Sequence, residues 1–319
     1  LGLTFTALLT VVLALTGNYI SLLVTAFALG VIASTFHPPG TTLVTEYFTN
    51  DKRGKALGIH LIGGSIGNSL GPILIGVLIA FTAWQNSLFI IATPGIIIGI
   101  LYWQFVKDIP TTTSTAHQPT NTNTDQRKKI PPVKVRSVKL SFAIIIIAEM
   151  LGLTAFYGMV SFLPLYLVSE FNASVTFAAL LLGLMPLAGV AGGPLGGWLS
   201  DRFGRKPMIV LGLALQPLLI YLLLLAPIGV IMYLIIILEG FIVYVLTVSV
   251  AAYVADLVPP SLRATAYAAY FTFAFAWMAI IPLFTGNQAD IVGFKNAFTI
   301  LILISVSGAI LSLFIKKLG

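Results

Sequence analysis

The sequence predicts an all-α polytopic membrane protein, and three observations carry that prediction. The 319 residues are 58% hydrophobic and only 8% charged, with a mean hydropathy of +1.02. The charges fall in a few tight clusters, and about fifty nearly uncharged residues separate successive clusters. A soluble domain has no means of hiding so much apolar surface, whereas a bilayer is itself an apolar solvent. Each interval has room for two crossings, so the chain returns to the same face at every cluster.

Sixteen of the seventeen Lys and Arg residues lie in those clusters: Lys52, Arg53 and Lys55; Lys107 to Lys139; Arg202, Arg205 and Lys206; Arg263; Lys316 and Lys317. Only Lys295 stands outside them. Loops on the cytoplasmic side collect Lys and Arg, so the clusters are expected there, in a multi-pass protein of the cell membrane with a cytoplasmic C-terminus. The net charge of +7 then reports topology, and no nucleic-acid partner is expected. Cysteine is absent, which excludes disulfides and thiol catalysis. His37, His60 and His117 are too scattered to build a metal site, and no metal or cofactor is expected. The chain opens at Leu1, inside an apolar run, and is expected to be a fragment lacking an upstream part.

Ten runs of about twenty mostly apolar residues follow one another. The first, 1–17, stops at Gly17–Asn18, and 20–46 stops at Glu46 ahead of the first basic cluster. Run 55–81 carries Pro72 and ends near Trp84–Gln85; run 85–106 carries Pro94 and ends at Lys107. Residues 108–138 are polar, Thr-rich and basic, with Pro110, Pro131 and Pro132, and read as a flexible cytoplasmic linker. Beyond it come 139–168 with Pro164, closed at Glu170–Asn172, and 173–198 with Pro186, closed by the Asp201 cluster. Run 207–226 carries Pro217 and closes at Ala226–Pro227, and 229–257 leads to Arg263. The last two, 263–286 and 291–315, are separated by Gly286–Asp290. Internal prolines are tolerated because neighbouring helices satisfy the freed carbonyls.

The chain also repeats itself at an offset of 210 residues: Gly30 meets Gly240, Glu46 meets Asp256, Arg53 meets Arg263, Ala56 meets Ala266, Pro72 meets Pro282 and Gly76 meets Gly286. Four runs precede the linker and six follow it, so a six-plus-six repeat lacking two runs is the economical account.

The most specific local signal is Gly197-Trp-Leu-Ser-Asp201-Arg202-Phe-Gly204-Arg205-Lys206 between two runs. Its glycines allow two helices to close, and its cations stay in the aqueous face. The string resembles the loop signature of the major facilitator superfamily, found between the second and third helices of each six-helix half. The resemblance covers nearly the whole chain and implies ten of twelve transmembrane helices, numbers 3–12, in a pseudo-twofold bundle. It implies an incomplete N-terminal bundle at 1–107, the linker at 108–138, and a C-terminal bundle at 139–319. Glu46-x6-Arg53 and Asp256-x6-Arg263 resemble the family's acid–Arg pairs at the ends of helices 4 and 10. The resemblance implies a cytoplasmic gate in which Asp201, Arg202 and Arg205 meet Asp256 and Arg263; simple anchoring at the interface is the alternative.

Gly58-x8-Gly67-x3-Gly71-Pro72-x3-Gly76 places small residues where backbones approach closely and a proline where the helix bends. It resembles the antiporter motif of the superfamily's drug–proton exporters, departing from it at Ile75. Phe36-His37-Pro38 resembles a string of fosmidomycin-resistance-type exporters, and His37 is a candidate proton shuttle or an interhelical hydrogen-bonding group. Glu149 and Glu239 lie about ten residues into their runs, where an acid costs about 2.5–3.5 kcal/mol and usually faces a cavity. Both are candidates for coupling proton movement to substrate movement, with Asn68, Tyr157, Gln216 and Trp277 as further cavity contacts; packing by hydrogen-bonded side chains is the alternative.

A secondary transporter working by alternating access is therefore expected, embedded in the lipid bilayer and moving a small organic compound outward against protons. Uptake of a sugar or organic acid with protons is the alternative, and a membrane enzyme or channel is disfavoured because no catalytic constellation or ring of pore charges is visible. No G-x4-G-K-[ST] string occurs, so no ATP site is expected. Every cation sits at a loop or interface, which points to a neutral or cationic substrate. A monomer is the expected state.

Overall fold

The computed structural model describes residues 2–34, 50–105, 135–259 and 262–316. Among them there are eleven α-helices and no strand: α1 (Gly2–Ala14), α2 (Tyr19–Ser34), α3 (Asn50–Ile79), α4 (Trp84–Phe105), α5 (Val135–Gly152), α6 (Thr154–Phe171), α7 (Val175–Phe203), α8 (Arg205–Leu225), α9 (Val230–Leu257), α10 (Arg263–Val292) and α11 (Phe294–Ser312). Eight helical stretches are long and apolar enough to cross a membrane, with Leu140–Phe171 counted as one, and the shorter apolar helices Gly2–Ala14 and Tyr19–Ala33 bring the segments to the ten expected. Large apolar side chains cover the outside, Phe27, Phe81, Trp103 and Leu283 among them, while Glu149, Gln216 and Glu239 are buried. A surface of that kind suits lipid and would not stay dispersed in water.

Several boundaries differ from the sequence expectation. Residues Val135 to Val138 begin α5 rather than closing the linker. Gly286–Asp290 is helical rather than a loop: α10 runs on to Val292, and the chain turns at Gly293, whose φ of +80° suits glycine. The single expected run 139–168 is two helices separated at Leu153. Pro164 is not the cause. Ser305 of α11 inserts its Oγ to accept the Ala155 N–H at 2.9 Å, taking that donor out of the helical ladder. Alongside, α11 comes so close at Gly308 that a Cβ there would overlap the backbone of Gly152.

The repeat persists in three dimensions. Helices α2 and α9 start at Tyr19 and Val230, α3 and α10 at Asn50 and Arg263, and α4 and α11 at Trp84 and Phe294, all close to the 210-residue offset. Both α3 and α10 are 30 residues long and carry their proline inside, Pro72 and Pro282.

The chain divides into two compact units, 1–58 with 81–134, and 59–80 with 135–319. These units do not coincide with a division into 1–107 and 139–319, because the 59–80 segment of α3 packs with the second. In the first unit α1 lies against α4, where Gly95 faces Ala7 and Gly99 faces Thr4. In the second, the tightest interface joins α7 to α9. A Cβ on Gly196 would lie 2.6 Å from the Val245 Cα, one on Gly192 2.9 Å from the Phe241 carbonyl oxygen, and one on Gly240 would overlap the Met185 carbonyl. Small residues at such spacing let two backbones meet where lipid gives no hydrophobic drive. The 59–80 segment is fixed to α7 by Thr176, whose Oγ1 donates to the Gly76 carbonyl at 2.7 Å.

Candidate functional site

Glu149 sits one turn before the α5–α6 break, only 5% exposed. Its Oε1 accepts from the Tyr270 hydroxyl of α10 at 2.9 Å. The break itself supplies the next polar group: Thr154 Oγ1 donates to the Met150 carbonyl at 3.0 Å and accepts from Trp277 Nε1 at 3.1 Å. Glu149, Tyr157, Tyr270 and Trp277 line one small cavity of about 10 Å³, room for about one water. A carboxyl, two phenols and an indole thus converge where the helix is interrupted.

A larger cavity of about 570 Å³ in the same unit is lined by Asn68 and Pro72 of α3, Phe156 of α6, Met185 of α7, Tyr244 and Thr247 of α9, and Phe275 of α10. That size suits a small organic ligand. The two cavities share a wall, because Phe156 lines the larger and Tyr157 the smaller, their rings edge to face with centroids 5.7 Å apart. Neither cavity is lined by Lys, Arg or His among the described residues.

The expected cavity residues divide accordingly. Glu149, Tyr157 and Trp277 line the small cavity and Asn68 the large one. Glu239 and Gln216 line neither of these two cavities; they are 1% and 0% exposed, within helix packing. They sit on the stripes of α9 and α8 that hold Leu246 and Leu213, which face other helices. His37 and Glu46 lie outside the described residues, as does the side chain of Arg53. Tyr270, Thr154 and Ser305 were not singled out by sequence. The signal for Tyr270 was its place on one helical stripe with two other aromatics, Tyr267 and Trp277.

Gly204, with φ +95°, turns the chain between α7 and α8. Arg205 pairs with Asp201 and, through Nε at 3.1 Å, with Asp256 of α9; its Nη1 also donates to Ser200 Oγ at 3.2 Å. Lys206 Nζ donates to the Leu313 carbonyl at 2.7 Å, tying the end of α11 to the same face. Two expected partners go elsewhere. Arg202 lies over the Trp198 and Phe203 rings, 5.2 and 5.7 Å from their centroids, and Arg263 Nε donates to the Ala255 carbonyl at 3.1 Å. Nor is Gly197 the close-packing glycine: a Cβ there would make ordinary contact at 3.7 Å, whereas its neighbour Gly196 has none to spare. In α3, likewise, Gly76 is crowded by Ala179, while a Cβ on Gly67 or Gly71 would meet no atom of a neighbouring element within 4 Å among the described residues.

The family model described as Major Facilitator Superfamily matches residues 1–170 and 145–318. The chain belongs to the major facilitator superfamily. Among its relatives is the fosmidomycin resistance protein of Escherichia coli (strain K12), 30% identical over 217 residues, which are 67% of this chain and 52% of the relative. Another is a probable hexose phosphate transport protein of Chlamydia trachomatis serovar D, 25% identical over 196 residues, 54% of this chain and 43% of the relative. The chain thus spans about half the length of the curated relatives it matches. A solved structure, that of a bacterial homologue of the human lysosomal transporter Spinster in an inward-facing and occupied conformation, aligns with 98% of this chain and 80% of its own. Its TM-score is 0.75 at 16% identity, so the likeness speaks to fold alone.

Proposed function

We propose that this superfamily member exports a small organic compound in exchange for protons by alternating access, with Glu149 as the proton carrier. The observation that carries the reading is the position of Glu149. Its carboxyl is buried at a helix break, held by Tyr270, and separated by one aromatic wall from a cavity large enough for a substrate. Two bundles, 1–107 and 139–319 joined by the linker 108–138, rock about that cavity in the plasma membrane, the basic face toward the cytoplasm. Arg205, held between Asp201 and Asp256, closes the cytoplasmic side, and Glu46 with Arg53 is its counterpart in the first bundle. Glu239 and Gln216, which line neither described cavity, are not given a part in this exchange.

The lining without cations supports a neutral or cationic substrate, and the fosmidomycin resistance relative supports export. A relative named for hexose phosphate transport supports a phosphorylated substrate instead, but a phosphate ester calls for Lys or Arg in the cavity, and neither described cavity has one.

The test uses proteoliposomes holding a pH-sensitive dye, challenged with a panel of neutral and cationic organic compounds. Export against protons predicts a pH change of the sign opposite to symport, and Glu149→Gln should abolish gradient-driven transport while leaving substrate exchange at equal pH. Gradient-driven transport unchanged in Glu149→Gln would sink the reading.

A further inference from the structure

Among the described residues, the buried side-chain atoms that lack any hydrogen-bond partner are four: both amide atoms of Gln216 and both carboxyl oxygens of Glu239. Leaving such groups unpaired is costly, and in native proteins an unpaired buried polar group asks for a partner such as a water or an ion. Nothing in the proton-exchange reading uses them.

Their placement gives them a common purpose. Helices α8 and α9 are antiparallel neighbours joined by the short turn from Ala226 to Gly229. A Cβ on Gly212 would lie 3.1 Å from the Leu246 Cβ, which sets their register. Gln216 is one turn beyond Gly212 on the same stripe of α8, and Glu239, Val243 and Leu246 share a stripe of α9. Counting back from Leu246 as α8 runs forward, Gln216 is level with Ile242, and Glu239 lies about 4.5 Å further along the axis. With helix axes about 8–10 Å apart, the two side chains come within reach of one bridging ion. A third oxygen is close by. Pro217 has no N–H to offer the Leu213 carbonyl, and both Leu213 and Pro217 are buried, with the Leu213 side chain turned to Gly152 of α5. No Lys, Arg or His occurs between Lys206 and Arg263 to serve as an internal counter-charge.

We propose that Glu239, Gln216 and the Leu213 carbonyl bind a monovalent hard cation of the sodium class between α8 and α9. Hard cations take oxygen ligands, and membrane carriers hold such ions with carboxylates and with carbonyls freed at helix interruptions. One carboxylate balances one positive charge; a divalent ion would leave net charge in an apolar interface, and no group of three His, Cys, Asp or Glu suited to a metal occurs among the described residues. Neither Glu239 nor Gln216 lines either described cavity, although Gly240 and Val243 beside them line the larger one, so sodium binding is measured without any transported compound.

The experiment is thermal unfolding of the purified full-length protein in detergent, with sodium chloride replaced by choline chloride at constant ionic strength. A ligand that binds only the folded state raises the melting temperature, so sodium should give a dose-dependent upward shift of a few degrees. That shift should vanish in Glu239→Gln and in Gln216→Leu and persist in Glu149→Gln. Gln216→Leu replaces an unpaired amide by an apolar group of similar size, so it should remain monodisperse and keep the test valid if Glu239→Gln does not fold. No sodium-specific shift in the wild type across acidic to alkaline buffers, or a shift retained in Gln216→Leu and Glu239→Gln, overturns the proposal.

Discussion

Glu149 accepts a hydrogen bond from Tyr270 beside a cavity with room for about one water, which is a sparse environment for a carboxyl. Sparse solvation makes each remaining bond matter. Removing the phenol in Tyr270→Phe leaves Glu149 Oε1 without its donor while keeping the ring in the cavity wall. Loss of a buried partner costs about 1–3 kcal/mol, so Tyr270→Phe should lower the melting temperature by several degrees. Transport should fall but persist, because the carboxyl stays; transport abolished as fully as in Glu149→Gln would mean that the phenol itself carries the proton. The Arg205 cluster is a different case. Arg205, Asp201 and Asp256 have side chains 24%, 68% and 46% exposed, and exposed ion pairs contribute about 0–1 kcal/mol. Its value lies in holding α7, α8 and α9 together at one end.

At the scale of elements, the α7–α9 interface depends on backbone touching backbone. Gly240→Val places two methyl groups into the Met185 carbonyl, and neither helix has a flexible side chain there to yield. Overpacking of that kind costs about 1–3 kcal/mol or more, so this variant should melt well below the wild type, whereas Gly197→Val, at a site with ordinary contacts, should melt near it. Sequence reading located both glycines but not the difference between them. Hydropathy and charge fixed ten spans because a bilayer selects on composition over twenty residues at a time. Which glycine is crowded depends on the partner helix, and G-x3-G spacing is silent on that. The break at Leu153 was illegible for the same reason: its cause is Ser305, 150 residues along the chain. Glu149 and Tyr157 were legible as polar residues deep in an apolar run, while Tyr270 looked like any other aromatic of its stripe. Depth alone did not say which way Glu239 and Gln216 point, since a run's sequence gives distance from its ends and not the direction a side chain takes.

For the whole molecule, the distribution of charge makes an orientation testable with this chain as it stands. It has no cysteine, so a single introduced thiol reports one place. Ile228, between α8 and α9, is 42% exposed, and Leu262, between α9 and α10, is 53% exposed. Helix α9 separates them and is long and apolar enough to span a bilayer, so the two positions belong on opposite sides. Arg263 adjoins Leu262 and belongs to the clusters that hold sixteen of the seventeen Lys and Arg residues, and the positive-inside rule assigns such clusters to the cytoplasm. In intact cells a membrane-impermeant maleimide should therefore label Ile228→Cys and leave Leu262→Cys untouched until the cells are permeabilised. The inverse pattern would reverse the orientation and with it the direction assigned to export. Labelling of both from outside would mean that α9 does not cross, and the alternating-access reading would lose the span that carries Tyr244, Thr247 and the Asp256 partner of Arg205.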